Sequence, residues 1–163
     1  MKRHLALVLS VIVLGTAPLG AATVSFLVIE TGLPMNGEIA SSSKVWENGL
    51  LDAFFDGGHI VSNARLLRLE DDGTLKKSGA LPAVVKADFD DAREGGADFF
   101  VAAFLRYAGD DHEQPQEVFL KLYDMNGILV YEFSSIGRTF ANPRDEFIDA
   151  KRIASKLIPL VKR

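Results

Sequence analysis

Apolar and polar residues follow two different periods along the chain, and these periods predict the order of strands and helices. Residues 23–30 and 98–107 are nearly continuous apolar runs, which is typical of strands covered on both faces of a sheet. Residues 39–56 carry apolar side chains at spacings of three and four, which predicts a helix that ends at the following glycine pair. A strand at 59–63 and a second helix beginning at Pro82 complete the pattern up to residue 107.

Two alternating apolar runs within residues 117–135 meet at Asn126-Gly127, which indicates a β-hairpin. We expect a two-residue turn in which both residues adopt positive φ. Such a turn places Met125 opposite Ile128 and sets the register of both strands. The remaining pairs are Leu120 with Phe133, Lys121 with Glu132, Leu122 with Tyr131, and Tyr123 with Val130. In this register one face is apolar and the other carries an opposite-charge pair.

A helix is predicted near the end of the chain, because Asn142 is a good N-cap and Pro143 a good first residue. Asp145 and Glu146 suit the positive end of its dipole. The complete order is therefore β-α-β-α-β-β-β-α. This order predicts the α/β class, as a single-domain sandwich with helices packed on a mixed five-stranded sheet. Residues 64–81 stay open between a small hairpin and a loop.

The first 22 residues are typical of a secretory signal peptide. Lys2 and Arg3 form a positive start, and residues 5–14 form an apolar segment too short to span a bilayer comfortably. Small residues lead up to Ala22, so we predict cleavage after Ala22 and a mature domain at residues 23–163. A bacterial periplasmic location follows, with membrane contact only through the transient signal peptide. The rival interpretation is an uncleaved membrane anchor.

The net charge and the absence of cysteine exclude some classes of binding partner and some kinds of chemistry. The net charge of the chain is −4, and loss of Lys2 and Arg3 with the signal peptide leaves −6. An acidic domain repels phosphate backbones, so we expect no nucleic-acid partner. The absence of cysteine excludes disulfides, thiolate catalysis and cysteine-bound metals.

Four segments of the mature chain carry a recognisable order of motifs. A helix precedes "GAD" and a strand in "AREGGADFFVAAFLRY", and a strand ends in "LYD" within "VFLKLYDMNGILVYEF". A basic, alanine-containing helix follows in "RDEFIDAKRIASKLIPLV", and "LLDAFFDGGHIVSN" adds a helix–glycine–strand segment. This order resembles the N-terminal domain of the periplasmic Tol-system protein TolB and related modules of curli-secretion and penicillin-binding-protein-activator lipoproteins. The resemblance implies a module that binds other envelope proteins, and it brings no catalytic residues.

An acidic loop is the first candidate for chemistry. Asp110, Asp111, His112 and Glu113, with Glu117 nearby, offer oxygen ligands of the kind that calcium prefers. The spacing is not that of an EF-hand, so a solvated loop between strands is the simpler interpretation.

Other polar residues give weaker indications. His59 and Asp56 are close enough in sequence to act as a base and its orienting group, although a partly buried strand histidine is the simpler interpretation. Asp88, Asp90 and Asp91 spread over more than one helix face, which fits a solvated surface. We therefore assign no catalytic, cofactor-binding or metal-binding residue and expect no cofactor.

These observations favour a non-enzymatic, exported envelope module that binds a protein partner. A sheet edge, or the loops at 32–37 and 64–81, is the expected interface. The alternative is a periplasmic protein that binds a small molecule or a divalent cation through residues 108–117 or a pocket beneath the first helix. A hydrolase is the weakest hypothesis, because no nucleophile, base and orienting group can be assembled from the sequence.

Overall fold

The computed structural model describes residues 20–63, 65–70, 81–108, 113–136 and 139–161. The strands in these ranges are β1 (Thr23–Thr31), β2 (Ile60–Asn63), β3 (Leu67–Leu69), β4 (Phe99–Arg106), β5 (Glu117–Asp124) and β6 (Leu129–Ile136). The helices are α1 (Ser41–Asp56), α2 (Lys86–Glu94) and α3 (Pro143–Ala154), with short 3-10 turns at Ala83–Val85 and Ile158–Leu160. Residues 1–19, which make up nearly all of the predicted signal peptide, lie outside the described residues.

The strands form one mixed sheet in the order β2-β1-β4-β5-β6. β1 is parallel to β2, β3 and β4, whereas β5 is antiparallel to both of its neighbours. The predicted α/β class is therefore confirmed. The sheet has six strands instead of five, because β3 arises within the segment left open and pairs with β1 beyond the end of β2.

Alternate side chains of the central strands enter two separate cores, since successive residues of a strand point to opposite faces. Val24, Phe26 and Val28 of β1 pack beneath α1 and α3, which form the larger core. Leu27 and Ile29 instead contact the core on the side of α2. This two-sided burial explains why β1 appears in the sequence as a continuous apolar run.

The helices α1 and α3 pack against each other at Gly49. A Cβ at this position would lie 2.8 Å from the Cβ of Ala150 and 3.2 Å from the backbone nitrogen of Lys151. The missing side chain therefore allows the two helices to approach closely. Lys151 adds ion pairs to Asp52 at 2.5 Å and Asp56 at 2.6 Å across the same contact.

The β5–β6 turn differs from the two-residue turn that was predicted. Gly127 has a φ of 78°, whereas Asn126 does not have positive φ. The backbone N–H of Gly127 donates to the carbonyl of Asp124 at 3.0 Å, and that of Asp124 donates to the carbonyl of Ile128 at 3.0 Å. The loop therefore contains three residues, with glycine in the left-handed position that such loops require. Asp124 stabilises it further, because its Oδ1 accepts from the backbone N–H groups of Asn126 and Ile128, both at 2.9 Å.

The predicted register of the hairpin is correct away from the turn and wrong beside it. The predicted pairs Leu120 with Phe133, Lys121 with Glu132, and Leu122 with Tyr131 are all present. Tyr123, however, pairs with Leu129 and not with Val130, because the register shifts between Leu122 and Tyr123. The predicted pair of Met125 with Ile128 is lost for the same reason, since the longer loop moves β6 by one residue and Val130 absorbs the difference.

Candidate functional site

The outer side of β6 is the first candidate surface, and we refer to it as the β6 edge. In the described part of the chain β6 pairs with β5 alone, so the backbone groups on its other side have no strand partner. Three apolar or aromatic side chains are also exposed there: Val130 at 43%, Tyr131 at 36% and Ile136 at 83%. A strand edge of eight residues with apolar side chains can accept a strand from another chain.

A pocket at the carboxyl ends of β1 and β4 is the second candidate, and we call it the carboxyl-end pocket. Open α/β sheets bind ligands at this end of their parallel strands. The cavity measures about 600 Å³. Both α1 and α3 begin at its wall. The residues that line it are Leu33, Pro34, Gly37, Glu38, Ala40, Ser41, Ser42, Val45, Arg68, Glu113, Gln114, Phe140, Ala141, Asn142, Pro143 and Glu146.

A buried carboxylate, Glu30, lies at the base of this region. It is fully buried near the end of β1 and accepts a bond from the Ser43 hydroxyl at 2.7 Å and from the Ala40 backbone N–H at 3.1 Å. Its other oxygen accepts from Nε of Arg68 at 2.6 Å. The Ser43 hydroxyl also contacts the hydroxyl of Tyr107 at 2.9 Å, and burial raises the pKa of Tyr107 to about 12. A hydrogen-bonded ionic cluster therefore joins β1, which carries Glu30, to α1, which carries Ser43.

Arg68 also fixes the loop that forms one wall of the pocket. Its Nη1 donates to the carbonyl of Pro34 at 2.6 Å, and its Nη2 donates to the carbonyl of Glu38. Gly37 leaves room for this guanidinium, because a Cβ there would lie 2.7 Å from Nη1. Arg68 on β3 therefore holds the loop that follows β1 in place.

Glu146 in the first turns of α3 forms the opposite wall. Asn142 caps this helix by accepting from the Asp145 backbone N–H at 3.0 Å, as predicted. The Glu146 side chain is only 2% exposed, and its Oε1 accepts from the Trp46 indole N–H at 3.0 Å and from the Ser42 hydroxyl. Burial raises the pKa of Glu146 above its ordinary value, although these two bonds oppose the shift.

Most of the acidic loop considered for calcium lies outside the described residues. Asp110, Asp111 and His112 lie outside them. Glu113 lines the carboxyl-end pocket, whereas Glu117 is bonded to Arg106 at 3.0 Å. No group of three potential metal ligands is found among the described residues.

The other residues considered for chemistry have separate partners. Nδ1 of His59 accepts from the Ala22 backbone N–H at 3.4 Å, while Asp56 binds Lys151 on α3. Asp90 is bonded to Lys86 at 2.6 Å on the surface of α2. Asp88 and Asp91 border a different cavity, of about 580 Å³, between α2 and the β1–β2 edge.

Sequence reasoning identified two segments of the pocket wall, within 32–37 and 108–117, but it missed the ionic cluster at the base of the pocket. Glu30, Arg68 and Tyr107 were not identified, and Glu146 was considered only as a helix-dipole residue. The one available signal was Glu30 itself, because it is a charged residue that ends an apolar run at the carboxyl end of a strand.

No protein-family model and no curated protein matches the chain. Among solved structures it is similar to the PelC dodecamer from Paraburkholderia phytofirmans, at 17% identity and a TM-score of 0.48 over 90% of this chain and 93% of that one. It is also similar to lipoprotein GNA1162 from Neisseria meningitidis, at 14% identity and a TM-score of 0.46 over 83% and 99%. The LpoB C-terminal domain from Escherichia coli follows, at 15% identity and a TM-score of 0.38 over 78% and 90%. These values assign no family, and none of these three proteins is TolB. No helix in the described residues has the length and apolar character needed to cross a bilayer.

Proposed function

We propose that this chain is a non-enzymatic, exported module of the bacterial envelope that binds a protein partner through the β6 edge. The observation that carries the proposal is the outer edge of β6, which no strand of the described residues pairs, together with the exposed apolar side chains of this eight-residue strand. A partner segment in extended conformation would supply hydrogen bonds to the free edge and cover these side chains. Main-chain bonds give affinity in this mode, and alternate side chains give specificity.

The charge of the edge indicates the composition of the partner segment. Glu132 is exposed in the middle of β6, and the mature domain has a net charge of −6. Opposite charges on paired strands stabilise the pairing, whereas like charges destabilise it. The segment that binds is therefore expected to carry lysine or arginine opposite Glu132, with apolar residues opposite Val130 and Ile136.

Export rests on the sequence of the first 22 residues. β1 begins at Thr23, the residue that follows the predicted cleavage position, so the cut would leave every strand complete. Amino-terminal sequencing of the protein from a periplasmic fraction is expected to begin at Thr23. Recovery of the uncut chain from membranes would support the anchor interpretation instead.

Photo-crosslinking from two aromatic positions tests the interface. A benzophenone amino acid is placed at Tyr131 on β6 or, as the control, at Phe55 on α1, which is 68% exposed on another surface. We expect one specific crosslinked protein from Tyr131 and none from Phe55. Its crosslinked segment should be extended and basic.

A pair of charge substitutions provides the second half of this test. Ile136→Lys on the β6 edge should abolish the crosslink, because it adds a charge where the partner would bury an apolar surface. Phe55→Lys is the matched control and should leave the crosslink unchanged. Equal crosslinking from both positions, or a crosslink that survives Ile136→Lys, would contradict the proposed interface.

A further inference from the structure

The cavity between α2 and the β1–β2 edge, which we call the α2 cavity, has a polar floor. Its volume of about 580 Å³ lies within the range of about 300–1,000 Å³ that is usual for small-molecule sites. Thr23, Ser25 and Ser62 line the floor, and Ser25 pairs directly with Ser62 in the sheet. Farther along β1 the same face carries Leu27 and Ile29, which belong to the core on this side. This face of β1 therefore changes from apolar to polar where the cavity lies.

The floor contains a buried hydroxyl without a partner. Ser25 is only 6% exposed, and its hydroxyl makes no hydrogen bond with any residue that the structure describes. Buried polar groups are normally hydrogen-bonded, because an unpaired one loses its bonds to water and gains none in return. Since Ser25 lines the cavity, a molecule bound there can supply the missing bond.

The helix wall opposite this floor carries two carboxylates. Asp88 and Asp91 line the cavity from α2, and their spacing of three residues places them on one side of the helix. Neither side chain is paired within the described ranges, whereas Asp90 between them bonds Lys86 and Arg93. The other residues of this wall are small and leave the space open: Ala87, Ala92, Gly95 and Ala97.

The charges around the α2 cavity restrict its ligand. Arg65 also lines it and has no ion pair with a described carboxylate. An anion would be repelled by Asp88 and Asp91, and a cation would be repelled by Arg65. A hydroxyl group, in contrast, can donate to a carboxylate and can accept from a guanidinium or a serine. The ligand that fits all of these groups is therefore uncharged and carries several hydroxyls.

We propose that the α2 cavity binds a neutral carbohydrate. Its hydroxyls donate to Asp88 and Asp91 on the helix side and accept from Arg65. On the sheet side they bond Ser25 and Ser62. The site is distinct from the proposed protein interface, because β2 and β6 form opposite edges of the sheet.

Nuclear magnetic resonance of the nitrogen-15-labelled protein tests the site and its chemistry. Glucose, galactose, mannose and N-acetylglucosamine are titrated separately, with putrescine, acetate and glycine as charged comparators. At least one sugar should shift the backbone amide signals of Ser25, Ser62 and Ala92 in a saturable way. The charged compounds should bind at least tenfold more weakly. Saturation by none of the sugars, or equal affinity for a charged comparator, would overturn the proposal.

Two serine substitutions test the role of the buried hydroxyl. Ser25→Ala should lower sugar affinity at least fivefold without lowering the urea midpoint, because the hydroxyl has no bond to lose in the free protein. Ser43→Ala is the matched control, since Ser43 is also buried but is bonded to Glu30 and Tyr107. It should lower the urea midpoint and leave sugar affinity unchanged. A folded Ser25→Ala variant with unchanged sugar affinity would refute the assignment, and a lowered midpoint would show that the hydroxyl is already paired.

Neighbouring aspartates on the surface of α2 provide a second pair of variants that does not alter the buried floor. Asp91→Asn removes the charge of one carboxylate that lines the cavity, so sugar affinity should fall at least threefold. Asp90→Asn makes the same change at a residue outside the cavity lining and should leave affinity unchanged. Equal effects of the two substitutions would contradict the site. None of these variants alters β6, so the result is independent of the proposed protein interface.

Discussion

Replacing Arg68 by methionine tests whether the ion pair with Glu30 stabilises the fold. Glu30 is fully buried, and the side chain of Arg68 is 7% exposed. Methionine keeps the apolar stem of arginine but removes all of its donors. Glu30 would keep its bonds from Ser43 and Ala40 but lose its cationic partner.

The structure supports an estimate of the free energy of unfolding that Arg68→Met would lose. Removing one member of a buried ion pair costs about 3–5 kcal/mol, because the remaining charge is left in a poorly solvated site. Two donors to Glu30 survive, so we expect the lower part of this range, about 3–4 kcal/mol. The bonds from Arg68 to the carbonyls of Pro34 and Glu38 add little, since they lie at an exposed position where water can replace the donor. A domain of this size has a free energy of unfolding of about 5–15 kcal/mol, so the change is large.

Urea denaturation followed by Trp46 fluorescence measures the effect. The midpoint should fall while the slope of free energy against urea stays the same, because the surface exposed on unfolding hardly changes. The double variant Arg68→Met with Glu30→Gln should recover part of the loss, since a neutral amide is less costly to bury than a carboxylate. A loss below about 1 kcal/mol, the range of exposed ion pairs, would refute the reasoning, as would a double variant no more stable than the single one.

Three further changes test other parts of the structure. Gly49→Ala should lower the free energy of unfolding by about 1–2 kcal/mol, because the added Cβ meets the Cβ of Ala150 at 2.8 Å, although alanine is the better helix former. Thermal denaturation would show this loss, and a variant more stable than the unmodified protein would contradict the prediction. Gly127→Ala should cost about 1–2 kcal/mol because of its φ of 78°, whereas Asn126→Ala should cost less in the same measurement. Burial raises the pKa of Glu146, so the folded protein retains this proton more tightly and stability decreases as pH rises above the ordinary pKa of 4.5. Glu146→Gln should flatten that slope in urea denaturation at about pH 4–7, and an unchanged slope would exclude this source.

The strands and helices were predictable because the spacing of apolar residues in each element reflects which of its faces are buried. β1 and β4 are covered on both faces and therefore lack alternation, while α1 and α3 show apolar positions at helical spacing. The cap of α3 was equally local, because Asn142 bonds a backbone group three residues away. The signal peptide, its cleavage after Ala22 and the absence of catalysis remain predictions.

The hairpin shows where a local signal stops being sufficient. Asn126-Gly127 correctly located the turn, but the same dipeptide fits a two-residue and a three-residue loop. Asp124 decides between them, because its carboxylate bonds the backbone N–H groups of Asn126 and Ile128 and stabilises the longer loop. The strand pairs farther from the turn kept their register, since the bulge at Val130 restores the alignment that the longer loop would otherwise shift.

The polar cluster at the pocket could not be predicted from the sequence, because its partners are separated along the chain and only the strand order brings them together. Glu30 and Arg68 are 38 residues apart, and Trp46 and Glu146 are 100 apart. Glu30 pairs directly with Arg68 in the β1–β3 register, so the ion pair follows as soon as β3 is placed beside β1. β3 has only three residues and lies in the segment with the weakest pattern, and local propensity is least informative there. The apolar pattern therefore determined which residues are buried, whereas the polar site depended on a three-residue strand that the pattern did not reveal.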